Sequence, residues 1–130
     1  MGVRFPSVFS ITPIAVLPAS GAQTIIIITP QLTLPLDGAA VFVTWFWNGN
    51  TGAGTTQLTV TINRSLSPGV NVIMQNVQPV TAGVNFSMSG VAVDPNPGAS
   101  AGVQYNMALQ GTGTTGAGGN GAAHLAAFVL

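Results

Sequence analysis

Several stretches of the chain alternate apolar and polar residues with a period of two. Leu58, Val60 and Ile62 oppose Thr59, Thr61 and Asn63; Val84, Phe86 and Met88 oppose Asn85, Ser87 and Ser89; Val103, Tyr105, Met107 and Leu109 oppose Gln104, Asn106 and Gln110. Side chains on a strand point to opposite faces in turn, so each stretch predicts a strand with one core face and one polar face. Reading runs between Gly, Pro, Asn and Asp punctuation gives eight strands, at about 23–29, 31–36, 39–48, 55–65, 70–77, 83–93, 102–111 and 122–130. No segment sustains a 3.6-residue period, and 17 Gly with 9 Pro count further against helices. The expected fold is all-β, an eight-stranded sandwich or barrel over residues 23–130, preceded by an extended arm over residues 1–22.

Two runs depart from simple alternation. In the third, Val41, Val43, Trp45 and Trp47 fill one face while Phe42 and Phe46 occupy the other; in the last, Leu125, Ala127 and Val129 oppose His124, Ala126, Phe128 and Leu130. A two-layer sandwich buries only one face of each sheet, so the second apolar face of these strands must meet another chain or the arm. Phe42, Phe46, His124, Phe128 and Leu130 are therefore the expected subunit interface.

The arm is read from Pro6, Pro13 and Pro18, spaced too closely for a helix, each biasing its predecessor toward extended backbone. Its apolar side chains include Phe5, Val8, Phe9, Ile11, Ile14 and Leu17, too many for a solvated linker, and they are expected to dock on a neighbouring surface. The same stretch imitates a secretory signal, with Arg4 ahead of apolar residues and a small-residue patch at 19–22, but Pro6 and Pro13 interrupt it.

Composition narrows what such a domain can do. Of 130 residues 47% are hydrophobic and only 3% charged, against roughly 25% charged in an ordinary soluble domain. The charges are Arg4, Asp37, Arg64 and Asp94; His124 is the sole histidine, and Lys, Glu and Cys are absent. Two Arg cannot neutralise a phosphate backbone, so no nucleic-acid partner is expected. Unbroken aliphatic runs such as Ile25–Ile28 are far too short to span a bilayer as a helix, and no membrane partner is expected. A surface with so little charge has weak protection against association, which points to a multi-copy assembly.

Candidate chemistry is sparse. Asp37 and Asp94 could form a carboxylate pair for glycoside hydrolysis, but P-L-D-G and V-D-P-N-P-G are turn contexts, where Asp bonds its own backbone. Gly111, Gly113 and Gly116 spell a dinucleotide fingerprint, yet more glycines and a β run follow it where a helix is required. One His supplies a single metal ligand, and no G-x-S-x-G elbow accompanies it. No catalytic, cofactor or metal site is expected. Trp47 with Asn48 and Asn50 is the one grouping suited to a carbohydrate platform.

The succession TTQLTVTINRSLSPG (Thr55 to Gly69), QPVTAGVNFSMSG (Gln78 to Gly90) and GVQYNMALQGTGTTGAGGNGAAHLAAFVL (Gly102 to Leu130) resembles the tumour necrosis factor-like trimeric jelly rolls of phage decoration and spore-surface proteins. The shared traits are a strand closing on an Arg, a V-T-A-G turn, a strand centred on Tyr, a Gly/Thr-rich hairpin and a terminal A-x-L-x-A strand, over about residues 24–130. The resemblance implies a homotrimer with the C-terminal strand near the three-fold axis, and no enzyme. The resulting expectation is a trimeric cement protein on the outer surface of a phage capsid, contacting the major capsid protein or another shell lattice through its arm. The alternatives are a spore- or cell-surface appendage subunit, or a carbohydrate- or receptor-binding module.

Overall fold

A period of two in sequence becomes alternating burial across a pleated strand. In the computed structural model β3 (Val41–Asn50) shows this over its whole length, each buried residue followed by a half-buried one. The structure describes the backbone of residues 7–12, together with residues 23–34, 40–64, 71–95, 97, 102–113 and 121–130. The remaining strands are β1 (Ser7–Thr12), β2 (Thr24–Ile28), β4 (Thr55–Asn63), β5 (Val72–Pro79), β6 (Asn85–Asp94), β7 (Asn106–Gly113) and β8 (Ala122–Val129).

They form two four-stranded sheets, a front sheet ordered β1-β8-β3-β6 and a back sheet ordered β2-β7-β4-β5. Every pairing is antiparallel. Every step along the chain except β4 to β5 crosses from one sheet to the other, which is jelly-roll connectivity. The layer between the sheets takes Val41, Val43, Trp45 and Trp47 from β3 and Leu125, Ala127 and Val129 from β8. Leu58, Val60 and Ile62 of β4 and Met107 and Leu109 of β7 meet them from the back sheet. Burying one such aliphatic side chain stabilises the fold by about 1.5–3 kcal/mol, so this layer is the main source of stability in a chain without disulfides.

Two expectations are corrected. Of the strand expected over 31–36, the described residues 31–34 make only a bridge: Leu32 pairs antiparallel with Val103, with Leu32 N donating to Val103 O at 2.7 Å and Val103 N to Leu32 O at 3.0 Å. Pro30 lacks the N–H that a ladder continuous with β2 needs, and proline is tolerated here because β2 lies on a sheet edge. The arm over residues 1–22 is not wholly outside the sandwich. Ser7–Thr12 pair with β8 from Ser7 opposite Phe128 to Thr12 opposite Ala123. An edge strand needs a ladder on one side only, so Pro6 and Pro13 bracket β1 in sequence instead of preventing it. Val8, Phe9 and Ile11 therefore belong to β1, while Phe5, Ile14 and Leu17 lie outside the described residues.

Indole packing sets a requirement on β6. Gly90 stands opposite Trp45 in the ladder, and a Cβ added there would fall 2.8 Å from Trp45 Cζ2. Gly90→Ala is expected to force the buried indole aside and to cost about 1–3 kcal/mol, read as a lower urea midpoint at unchanged m-value. An unchanged midpoint would show that the ring has room to shift.

Candidate functional site

The outward face of the front sheet collects the aromatic residues that the core leaves out. Residues directly opposed in an antiparallel pair share a face, and the ladders set up successive rows across β6, β3 and β8. These are Val93–Phe42–Phe128, then Val91–Thr44–Ala126, then Ser89–Phe46–His124, then Ser87–Asn48–Ala122. On the far side Ser7, Phe9 and Ile11 of β1 stand in register with Phe128, Ala126 and His124. The first two rows are almost wholly apolar; the last is polar, with Asn48 Nδ2 donating to Ser87 Oγ at 2.6 Å. None of these positions carries a formal charge apart from the titratable His124.

The structure thus brings Phe42, Phe46, His124 and Phe128 onto one surface, with Leu130 just past the end of β8. Phe128 is 40% exposed and Leu130 65%, whereas Phe42, Phe46 and His124 are half-buried among their neighbours. Val91 and Val93, at 52% and 48% exposed, extend the patch onto β6 and were not anticipated. Their signal was present: counting in twos from Phe86 and Met88 leaves both valines on the opposite face.

The charged residues among those described, Arg64 and Asp94, lie elsewhere and serve another purpose. Asp94 ends β6 in the front sheet, while Arg64 follows β4 and Tyr105 precedes β7 in the back sheet. Arg64 Nη1 lies 3.3 Å from Asp94 Oδ2, and Tyr105 Oη donates to the same oxygen at 3.0 Å. The Asp94 side chain is almost fully buried and that of Arg64 about a quarter exposed. Burial first, and the Asp94 charge with its hydrogen bond second, hold the Tyr105 phenol well above the ordinary phenol range, against a smaller opposing effect of Arg64. Asp94 is therefore an inter-sheet anchor and not the turn residue its sequence context suggested. Asp37, its candidate partner, lies outside the described residues.

Other sequence candidates also resolve. Trp47 is wholly buried in the core, which removes it from any carbohydrate platform with Asn48 and Asn50. Gly111 and Gly113 lie inside β7, not ahead of a helix, and Gly116 lies outside the described residues. The polar face of β4 is buried too: Thr59, Thr61 and Asn63 are at most 7% exposed, and Asn63 Nδ2 donates to Asn106 Oδ1 at 2.9 Å. Among the described residues no cluster of His, Cys, Asp or Glu is arranged to hold a metal ion, and no helix is long and apolar enough to cross a membrane.

No protein-family model matches the chain, and no curated protein matches it in sequence. Solved structures do share its fold. The infectious bursal disease virus VP2 subviral particle aligns with a TM-score of 0.58 at 10% identity, over 95% of this chain and 32% of the viral one. The PRD1 vertex protein P5 aligns with a TM-score of 0.51 at 14% identity, over 100% of this chain and 99% of that one. A subunit of the Bacillus endospore appendages, described as disulfide-linked pili, aligns with a TM-score of 0.50 at 14% identity over 98% and 92% of the two chains. The fold is a jelly roll. The chain spans about a third of the bursal virus chains, and at these identities the likeness is one of fold alone. It does not single out the tumour necrosis factor-like decoration barrels.

Tyr105 is the sole tyrosine and reports on the anchor directly. Its raised pKa means the folded protein keeps a proton that the unfolded chain releases near pH 10. The corresponding stabilisation is complete below about pH 10 and declines as pH rises beyond it. Alkaline titration should therefore show no phenolate absorbance until the protein unfolds. A reversible phenolate signal near pH 10 with the near-UV dichroism intact would show that the Tyr105–Asp94 contact is absent in solution.

Proposed function

We propose that this protein is a non-enzymatic decoration or cement subunit, a homotrimer on the outer surface of a phage capsid. The observation that carries the reading is the uncharged aromatic face over β3 and β8. These are the two central strands of the front sheet, and the back sheet packs against their other side. Covering Phe42, Phe46 and Phe128 would contribute about 1.5–3 kcal/mol each before association costs are subtracted. The shared fold with a capsid protein and a vertex protein supports a place at a virion surface, and a chain with 3% charge is suited to life inside an assembly. The likeness to endospore appendages supports a second reading, a subunit of a cell-surface or spore-surface appendage.

Contact with the major capsid protein or another shell lattice we assign to the parts of the arm that flank β1 in sequence, residues 1–6 with Phe5 and residues 13–22 with Ile14 and Leu17. Val8, Phe9 and Ile11 are withdrawn from that role by their place in the front sheet. This narrows the proposed docking arm to two segments within residues 1–22.

Phe128→Asp tests the interface. Each copy would bring a carboxylate to a covered apolar surface, at a cost of several kcal/mol unless it protonates. The expected result is a light-scattering mass that falls to that of the monomer while the β-sheet dichroism is unchanged; an intact trimer rejects the interface. Deletion of residues 2–6 tests the segment before β1. The truncated protein should remain a folded trimer and lose binding to undecorated shells of its own virus, and full occupancy on those shells would place the docking surface elsewhere.

A further inference from the structure

The front sheet has two margins, β1 on one side and β6 on the other. Natural edge strands are usually blunted by Lys, Pro, bulges or covering segments, because an open edge is a template for another strand. β6 runs for ten residues without Lys, Arg or Pro, pairs with β3 without a register shift, and its one charge, Asp94, is tied to Arg64 and Tyr105. Val91 and Val93 stand half exposed on it. β1, SVFSIT, is likewise uncharged and carries no Pro within the strand. Within the described strands themselves, neither margin carries Lys, Pro or a bulge against pairing.

Beside the open edge of β6 lies a cleft of about 320 Å³, lined by Asn76 and Gln78 of β5 and by Phe86, Ser87, Met88 and Ser89 of β6. β5 is the margin of the back sheet, so the cleft is the gap between the two sheets where both end. Its lining offers two amides, two hydroxyls, a phenyl ring and a thioether, with no charge. Gln78 Nε2 donates to Asn76 Oδ1 at 3.1 Å, so the two amides are held together on one wall. Such a lining suits a neutral extended segment whose backbone pairs with β6 and whose inward side chains enter the gap.

The chain itself supplies a segment of that description. β1 is antiparallel to β8, β8 to β3 and β3 to β6, so β1 and β6 run in opposite directions. A second copy that simply continues the front sheet lays its β1 antiparallel along β6. Without stagger the rows continue: Val93 falls beside Ser7 of the next copy, Val91 beside Phe9 and Ser89 beside Ile11. We propose that the open edge of β6 and its cleft receive β1 of a second copy, joining subunits head to tail through one continuous sheet. The contact is heterologous and closes into a ring when the rotation per copy allows, a trimer being one such ring. The inference rests on the multi-copy reading above and names a second contact, distinct from the Phe128 face.

The absence of Cys makes cross-linking a clean test, since introduced thiols are the only ones present. Ser7→Cys and Val93→Cys lie on opposite margins of a four-stranded sheet, three strand spacings or about 14 Å apart within one chain, too far for an internal disulfide. Oxidation of the assembled double variant should give a reductant-sensitive ladder extending beyond the dimer. Mixing the two single variants should give disulfide dimers that neither forms alone. Ser7→Cys with Val91→Cys tests the register staggered by two residues, and a ladder there supports the proposal equally. Dimers from Val93→Cys or Val91→Cys alone, with no mixed dimer to Ser7→Cys, would mean that copies meet through β6 or the outward patch and not through β1, and would overturn it. No cross-link in either register, while light scattering still reports a multimer, would also overturn it and leave the Phe128 interface standing. A monomer by light scattering would remove the multi-copy reading together with this one.

Discussion

A sheet has two faces, and a two-layer sandwich covers one of them. That constraint governs this molecule, because β3 and β8 are apolar on both sides and lie at the centre of the front sheet. Their inner residues interlock with Leu58, Val60, Ile62, Met107 and Leu109 and leave no choice of register, since a slip by one position would exchange Trp45 and Trp47 for Phe42 and Phe46. Gly90 fits the same logic: the opposing position has no side chain because the Trp45 indole takes that volume. What the core cannot absorb is displayed outside, as a row of Phe and Val. An excess of apolar residues over what a small domain can bury is in this way converted into a surface of defined shape.

The two charges among the described residues are used inwardly. Arg64, Asp94 and Tyr105 come from both sheets and meet at one end of the layer. Burying an ion pair contributes little net stability compared with an apolar replacement, but removing one partner is costly, so such a cluster restricts how the two sheets can be aligned. The phenol completes the arrangement by donating to the carboxylate that Arg64 leaves partly unsatisfied.

Much of this was legible in the sequence and some was not, for identifiable reasons. The period-two runs located seven strands to within a few residues, because alternation is a direct image of the pleat. The inward and outward faces of β3 and β8 could likewise be assigned, placing Phe42, Phe46, His124 and Phe128 together. Errors came from proline. In the arm three prolines suggested detachment, yet Ser7–Thr12, between Pro6 and Pro13 in sequence, form an edge strand; at 31–36 the apolar run was counted as a strand although the described residues 31–34, after Pro30, make only one bridge. Asp94 was misread because V-D-P-N-P-G has the composition of a turn, and nothing local reveals that its carboxylate faces Tyr105, eleven positions on, and Arg64 on another sheet. Trp47 was ambiguous for a related reason: an indole beside two asparagines looks like a binding platform until the parity of β3 turns it inward.

The missing charge on the outward face also bears on how quickly copies find one another. Proteins that carry complementary charged surfaces guide their own encounters, reaching association rates of about 10⁸–10⁹ M⁻¹s⁻¹ at low salt, against about 10⁵–10⁶ for neutral surfaces. The rows from Val93 to Ala122 produce almost no field beyond contact distance, and Arg64 and Asp94 cancel each other at close range. In the proposed assembly, encounters between copies would therefore be unguided and insensitive to ionic strength, with selection among orientations only once the surfaces touch. Kosmotropic salts, which strengthen apolar burial without acting on charge, would be the solution condition to which such an assembly responds.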